Sequence, residues 1–250
     1  MTTNTGAAGD AEQYDPSAFP AFAVTVDVVV LTMADGQLHV LLVRRGVSPY
    51  EGAWAIPGGF KLPDETLDEA ARRELVEETG VDGSHLLCQF GAYGDPGRDP
   101  RMNVVTIAYL AVIREVGALA AGTDAAEAQL HSARDVVNGL VEVAFDHRRI
   151  VCEAVERLAR DLESTGIASS FVGDEFTLAE LRAVYEAVWE VRLDGANFRR
   201  SVVTDDGWVI PTGRRAKPGR VGGKPPELYR AGRRWRTGGP LRNPRRTDPT

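Results

Sequence analysis

The sequence predicts an α/β domain that is followed by a small helical domain with a basic β-hairpin. Three observations support this fold class. β-branched, mostly apolar segments alternate with helical patterns up to residue 163. Two shorter helical patterns follow, and a basic, Gly- and Pro-rich connection then separates two short apolar segments. A chain of 250 residues is long enough for two modest domains.

The first domain is predicted to begin with two antiparallel strands. Residues 22–33 are β-branched and largely apolar, which is typical of a buried strand. Asp35 and Gly36 form a hairpin signal, so residues 37–45 are expected to return as the second strand.

A helix with an acidic face is predicted between Thr66 and Gly80. Thr66 and Glu69 have capping-box spacing at its start, and Gly80 suits the left-handed position at its end. Three carboxylates spaced i, i+3 and i+4 share one face and repel each other unless a hard cation such as Mg²⁺ lies between them. The candidate metal ligands are Glu74, Glu77 and Glu78.

The rest of the first domain is predicted as strands and one long helix. Residues 86–93 and 103–113 have strand patterns, and residues 141–145 suit a last strand. Residues 124–132 are predicted as a short helix, because Asp124 and Glu127 have capping-box spacing.

A long amphipathic helix is expected at residues 146–163, with an apolar face that closes the first domain. Residues 164–175 are therefore the expected domain boundary.

The second domain has the element order of a winged helix-turn-helix. One helix is predicted to start at the capping box of Thr177 and Glu180, and a second covers residues 195–203. Residues 208–210 and 227–230 can then pair as a two-stranded ribbon. Helix, turn, helix and basic hairpin in this order indicate DNA binding.

Charge is distributed unevenly along the chain. The net charge is −7, yet residues 211–250 contain twelve Lys or Arg against two acids, which gives +10 there and −17 for residues 1–210. An acidic body with a basic end indicates that this end meets a polyanion. No apolar run is long enough to span a bilayer and residues 1–20 lack a signal-peptide pattern, so a cytoplasmic protein without a membrane partner is expected.

Residues 59–81, read GFKLPDETLDEAARRELVEETGV, resemble the Nudix box at every defining position. The flanking WAIPGG also fits that family's pattern. The resemblance implies an α/β/α sandwich with a mixed sheet, in which the helical glutamates bind a divalent metal against the diphosphate of a nucleotide derivative.

The segments FTLAELRAVYEAVW, NFRR and KPPELYR are similar to the C-terminal module of the Nudix-related transcriptional regulators of NAD metabolism. This resemblance implies a homodimeric repressor of NAD biosynthesis and salvage genes, whose Nudix-like domain senses ADP-ribose or a related nucleotide. The expected domains are a lead (1–20), a Nudix-like domain (21–165), a winged helix-turn-helix (172–231) and a basic tail (232–250).

Candidate ligand-binding and catalytic residues follow from side-chain chemistry. Arginines can hold phosphate or ribose, and the candidates are Arg44, Arg45, Arg98 and Arg101. If the domain is catalytic, Glu77 and Glu78 act with Mg²⁺ on the diphosphate. Glu127 lies where some pyrophosphatases of the family place a general base, although a helix cap is the alternative role.

The expected DNA contacts lie on the second helix of the small domain and in the wing. Asparagine can read an adenine edge, and arginine can read guanine or hold a phosphate. The helix candidates are Asn197, Arg199 and Arg200. The wing candidates are Arg214, Arg215, Lys217, Arg220 and Lys224, which would contact the backbone of double-stranded operator DNA.

Three functions are compatible with these patterns. A DNA-binding repressor with a ligand-sensing Nudix domain explains both the second domain and the uneven charge. A Mg²⁺-dependent ADP-ribose (nucleoside diphosphate-X) pyrophosphatase explains why the box is intact. An RNA-binding enzyme that trims nucleotide caps ranks last, because a helix with a wing suits duplex DNA better than single strands.

Overall fold

A computed structural model describes residues 15–81, 87–116, 125–203, 207–217, 225–232 and 241–245. The strands are β1 (Ala23–Ala34), β2 (Gln37–Arg45), β3 (Trp54–Ala55), β4 (Gly58–Phe60), β5 (Leu87–Tyr93), β6 (Val104–Val112), β7 (Ala125–Ser132), β8 (Val209–Arg215) and β9 (Glu227–Ala231). The α-helices are α1 (Leu67–Thr79), α2 (Ala133–Val137), α3 (His147–Ser164), α4 (Leu178–Trp189) and α5 (Gly195–Val202).

A seven-stranded mixed sheet organises the first domain. Its main path is β3-β2-β1-β6-β5, while β4 pairs with β1 and β7 pairs with β2. Strands β1 and β6 are parallel, and the other pairs are antiparallel. The long apolar run of β1 is buried because strands flank it and helices cover both of its faces.

The two faces of β1 belong to different parts of the core. Val26, Val28 and Val30 pack with Ala70 and Leu75 of α1 on one face. The alternate residues of β1 join a second cluster that includes α3. Successive side chains of a strand point to opposite faces, so this division follows from the strand period. The predicted α/β/α sandwich is confirmed.

The second domain is a winged helix, as the sequence predicts. Helices α4 and α5 precede the antiparallel pair β8 and β9. A bridge between Phe176 and Tyr229 fixes the ribbon to the start of α4, through hydrogen bonds in both directions of 2.8–2.9 Å. Two of the three predicted capping boxes form, one with Thr66 and Glu69 and the other with Thr177 and Glu180.

The hydrophobic core is continuous between the domains. One cluster contains Ile150 and Leu158 of α3 together with Leu181 and Trp189 of α4 and Phe198 of α5. A short 3-10 turn, Ile167–Phe171, lies between α3 and α4 and buries Ile167, Ala168 and Phe171. The second domain is therefore packed against the first rather than tethered to it.

Two local predictions are wrong. Residues Ala125–Ser132, part of the segment predicted as a helix, form β7, because tertiary pairing along β2 overrides the helix propensity of its alanines and glutamate. Asp124 itself lies outside the described residues. Residues 141–145 make only an isolated bridge, between Val143 and Trp54, instead of a strand.

Helix α2 and the short strands β3 and β4 were not predicted. Each is only two to five residues long, so each carries too little periodicity to detect. In the part of the chain that is described, no helix is long and apolar enough to cross a membrane.

Candidate functional sites

Helix α1 carries an ion-pair cluster centred on Arg73. Its guanidinium lies 2.7 Å from Glu65, 2.7 Å from Glu74 and 3.1 Å from Glu77. The bond to Arg73 and the backbone N–H of Leu62 lower the pKa of Glu65 to about 2. Arg73 therefore offsets the repulsion among these carboxylates and fixes the loop before α1 to the helix.

Glu74 and Glu78 point inward from the same helix. The backbone N–H of Gly58 donates a 3.0 Å hydrogen bond to Glu78, yet burial raises the pKa of Glu78 to about 7. Burial also raises the pKa of Glu74. A Cβ at Gly59 would lie 2.3 Å from Oε1 of Glu74, so only glycine allows β4 to pass this close to the carboxylate.

The three predicted metal ligands share one helix face, and their carboxylate oxygens are donors that suit Mg²⁺. Arg73 already bridges two of them, Glu74 and Glu77. Across the described ranges, no group of three or more His, Cys, Asp or Glu side chains is arranged to hold a metal ion. The donor chemistry thus fits a divalent cation only if Arg73 or the carboxylates rearrange, and the metal site stays a prediction.

A pocket lies beside Glu78, between β1, β2, β4 and the start of α3. Its lining includes Asp27, Arg45, Phe60, Arg101 and Phe145. Burial and the nearby positive charge of Arg101 lower the pKa of Arg45. Arg101 is bound to Asp99 at 2.7 Å, and its guanidinium lies 5.3 Å from the ring centroid of Phe60. Two arginines at one pocket make an anionic ligand favourable there.

Arg98 also borders this pocket, but one buried and one partly buried carboxylate hold it. Its guanidinium lies 2.7 Å from Asp146 and 3.4 Å from Asp27, and the Arg98 side chain is only 6% exposed. The imidazole of His147 accepts a 3.2 Å hydrogen bond from the N–H of Ile56 at Nδ1, and burial lowers its pKa. Arg98 is thus engaged in a structural network at the start of α3.

The sequence reasoning missed Asp27, Phe145 and His147 as pocket residues. Asp27 offered a signal, because it is the only charged residue in the apolar run of β1. A carboxylate in a buried strand needs a partner, and Arg98 supplies it. Phe145 and His147 gave no local signal, because the chain fold alone brings them to the pocket.

Arg44 and Glu127 face each other on neighbouring strands. Arg44 lies 3.6 Å from Glu127 and 5.4 Å from the ring centroid of Trp54, and it donates a hydrogen bond to the carbonyl of Gly52. Glu127 lies on β7 and is not among the residues that line the pocket. Its catalytic role stays a prediction.

Helix α5 presents Asn197, Arg199 and Arg200 on an exposed face, while Phe198 is buried. Arg200 is hydrogen-bonded to Asn197. Arg199 instead turns towards β9 and lies 3.6 Å from Glu227. The helix therefore offers Asn197 and Arg200 to a partner more directly than Arg199.

The described part of the wing is basic and exposed. Arg214 pairs with Glu175, Arg215 donates a 2.9 Å hydrogen bond to the carbonyl of Pro225, and Lys217 is exposed. Arg220 and Lys224 lie outside the described residues. Roles in DNA binding for all of these side chains stay predictions.

Comparison with known proteins agrees with both domains. Residues 21–154 match the NUDIX domain, and residues 168–231 match the NrtR DNA-binding winged helix domain. The chain is 32% identical to the ADPR responsive transcriptional repressor NtrR of Acinetobacter baylyi, over 87% of this chain and 85% of that protein.

Two solved structures extend the comparison. Shewanella oneidensis NrtR complexed with a 27mer DNA is 32% identical, with a TM-score of 0.70 over 83% of this chain and 93% of that one. The NUDIX domain of the same protein complexed with ADP ribose is 36% identical, with a TM-score of 0.53 over 58% of this chain and 94% of that one. The order of domains, their shared core and these similarities together show that the chain belongs to the NrtR family of NUDIX-domain transcriptional repressors.

Proposed function

We propose that this protein is a DNA-binding repressor of NAD biosynthesis and salvage genes, and that its NUDIX domain binds ADP-ribose or a related nucleotide. The observation that carries the proposal is the winged helix with an exposed basic face, packed through a common core onto a domain with an arginine-lined pocket. A hydrolase does not need the winged helix, whereas a repressor that responds to a nucleotide needs both domains. We also propose a cytoplasmic location, because a repressor acts where its operator DNA lies.

The pocket has the electrostatics that a nucleoside diphosphate requires. Burial and then the charge of Arg101 lower the pKa of Arg45, so the charge of Arg101 repels that of Arg45, whereas the bond to Asp99 raises the pKa of Arg101. A diphosphate between them would remove this repulsion and accept charge-assisted hydrogen bonds. ADP-ribose binding by the NUDIX domain of the Shewanella relative supports this ligand.

The DNA-binding face supports recognition of a duplex. Asn197 and Arg200 are exposed on α5, with side chains suited to base edges or phosphates. Basic wing residues would neutralise backbone phosphates, which makes binding dependent on salt. We propose a homodimer, because a protein with two-fold symmetry reads an operator with two-fold symmetry.

A titration of operator DNA tests the proposal. Purified protein is mixed with fluorescent DNA from upstream of its own gene and of NAD biosynthesis genes, and ADP-ribose is then added. We expect specific binding that ADP-ribose releases. The variant Arg200→Ala should weaken binding, whereas Arg160→Ala, a control on the exposed side of α3, should not. Specific binding that ADP-ribose leaves unchanged would contradict the ligand-sensing part, and the absence of specific binding would contradict the repressor.

A second candidate function is a Mg²⁺-dependent ADP-ribose pyrophosphatase. The intact acidic face of α1 favours it, because Glu78 lies at the pocket where a diphosphate would bind. Glu74, Glu77 and Glu78 would hold the cation. Bound there, Mg²⁺ supplies charge neutralisation of the diphosphate and activation of a water. Glu78, whose pKa is raised to about 7, can hold or release a proton near neutral pH.

Release of AMP from ADP-ribose with and without Mg²⁺ tests this second function. We expect turnover that Glu77→Gln and Glu78→Gln abolish, while the control Asp64→Asn, an exposed acid in the preceding loop, retains it. Turnover that persists in the α1 variants would place the activity elsewhere. Operator binding that ADP-ribose relieves in the Glu77→Gln variant would show that sensing does not depend on hydrolysis.

A further inference from the structure

Two aromatic residues with positive φ lie in contact beside the pocket. Among the described residues, non-glycine residues have positive φ at Asp35, Tyr50, Phe145 and Glu190. Asp35 is in the hairpin turn before Gly36, and Glu190 is the C-cap of α4, so both have ordinary structural causes. Tyr50, with φ of 60°, lies in the loop between β2 and β3, and Phe145, with φ of 53°, lies in the turn before α3, but neither residue adjoins a glycine or caps a helix C-terminus. Bulky side chains are unfavourable in this conformation, and such strain concentrates at ligand sites.

The two rings form an edge-to-face pair. Their centroids lie 4.7 Å apart at an interplanar angle of 65°. Phe145 lines the pocket and also packs against His147, at 5.2 Å between ring centroids. Tyr50 is 48% exposed, so its ring retains surface that a planar group can cover. Tyr50 is not itself among the residues that line the pocket, so Phe145 is the residue that connects the exposed Tyr50 ring to the pocket wall.

Cationic groups lie directly beside this aromatic pair. The guanidinium carbon of Arg45 is 4.8 Å from the ring centroid of Phe145, and that of Arg101 is 5.9 Å from it. Arg45 also donates a 2.8 Å hydrogen bond to the carbonyl of Pro49, the residue before Tyr50. An arginine expected to hold a diphosphate therefore also holds the loop that presents the exposed ring.

We propose that Tyr50 and Phe145 form a base-binding subsite at the edge of the pocket, where the exposed Tyr50 ring packs against the pocket residue Phe145. The purine base of a nucleoside diphosphate stacks on Tyr50, Phe145 holds that ring in place, and Arg45 and Arg101 hold the phosphates. Every base has a flat π face that an aromatic side chain can cover. The inference rests on the proposed nucleotide-binding function. It adds that the base end of the ligand confers selectivity.

Phe60 is the competing surface for the base. It lines the same pocket and is 41% exposed, but it belongs to the regular strand β4 and the guanidinium of Arg101 already lies over its ring, at 5.3 Å. Tyr50 has an unfavourable positive φ, and none of the guanidinium groups in the described part of the chain lies over its ring. We therefore assign the base to Tyr50 and compare it with Phe60, the competing aromatic surface.

Calorimetric titration of the full chain with ADP-ribose tests the assignment. Replacing Tyr50 by Leu should weaken ADP-ribose binding by roughly 5- to 150-fold, the usual range for loss of one base–aromatic stack. Tyr50→Phe, which keeps the ring, should bind within about twofold of the parent protein, a change small compared with a lost stack. Phe60→Leu removes a pocket residue that contacts Arg101, and it should weaken binding less than Tyr50→Leu does. Tyr50 is half-exposed, so an unchanged melting temperature should show that the variants fold normally.

Several outcomes would overturn the assignment. Unchanged affinity of Tyr50→Leu, or a larger loss in Phe60→Leu, would place the base elsewhere. A failure of the parent protein to bind ADP-ribose at all would refute the nucleotide-sensing function together with this subsite. Operator binding is also measured without ADP-ribose. The Tyr50 variants should bind the operator as the parent protein does, so a loss of ADP-ribose affinity is then confined to the ligand site.

Discussion

Trp189 donates its indole N–H to the backbone carbonyl of Ala159 across a 3.1 Å hydrogen bond that joins α4 of the winged helix to α3 of the NUDIX domain. At its other end, α3 begins beside Phe145 and Asp146, which contact the pocket arginines. Its eighteen residues span about 27 Å at 1.5 Å per residue. A single helix therefore has one end at the pocket and contacts the DNA-binding domain farther along, so a shift of α3 on ligand binding would reach both sites.

The first prediction concerns this hydrogen bond. Trp189→Phe keeps an aromatic ring in the core but removes the N–H donor. We expect the ratio of operator dissociation constants with and without ADP-ribose to fall by about two- to tenfold, because one hydrogen bond is worth about 0.5–1.5 kcal/mol. Fluorescence anisotropy measures both constants. Tyr185→Phe on the same helix is the control, and an unchanged ratio in Trp189→Phe would exclude this contact from the coupling.

The second prediction concerns the buried network of Arg98. Replacing Arg98 by Met leaves Asp27 and Asp146 without their partner in a site that is largely closed to water. We expect the free energy of unfolding to fall by about 3–5 kcal/mol, the usual cost of breaking a buried ion pair from one side. Urea denaturation measures it.

A matched surface pair provides the control for Arg98. Arg149 and Asp95 also join the 95–102 loop to the start of α3, but both side chains are more than half exposed. Arg149→Ala should cost less than about 1 kcal/mol, as exposed ion pairs do. Equal effects of the two substitutions would show that burial does not determine the strength of the Arg98 network.

The third prediction concerns the pH dependence of stability. Burial raises the pKa of Glu78 to about 7, above its value in the unfolded chain, so the folded state binds the proton more tightly. The resulting stability is fully present below about pH 4.3 and is lost as pH rises through 7. In a chelator, Glu78→Gln should remove this loss and stabilise the protein at pH 8 by at most about 3 kcal/mol. The free energy of unfolding is measured against pH for both proteins. Curves that stay parallel for the parent and the variant would refute this prediction.

The long strands and capped helices could be predicted from the sequence because their signals are local. The apolar run of β1 and the Thr66–Glu69 and Thr177–Glu180 boxes each specify structure within a few residues. The β7 strand was mistaken for a helix because its register is fixed by β2, about ninety residues earlier. The pocket escaped prediction for the same reason, since Asp27 meets Arg98 and His147 only in the folded chain.

On the DNA-binding face, the position of Arg199 also depends on a contact between distant parts of the chain, which the sequence does not reveal. This contact leads to the last prediction. The sequence gives it the same role as Arg200, but the structure places its guanidinium 3.6 Å from Glu227 and 5.8 Å from the ring centroid of Tyr229. The hydroxyl of Tyr229 donates a 2.6 Å hydrogen bond to the same Glu227 carboxylate. Arg199 therefore ties α5 to the wing strand, and Glu227 already balances its charge before DNA arrives.

This difference predicts that the two arginines contribute unequally to the salt dependence of operator binding. Arg200→Gln should reduce the slope of log K against log salt by about 0.9 for each bound protomer, because one phosphate contact and its released counterion are lost. Arg199→Gln should reduce the slope less, since Glu227 competes with phosphate for that charge. Glu227→Gln frees Arg199 and should make the slope steeper. Binding isotherms at several salt concentrations measure all three. If Arg199→Gln lowers the slope as much as Arg200→Gln, Arg199 leaves Glu227 for the phosphate when DNA binds.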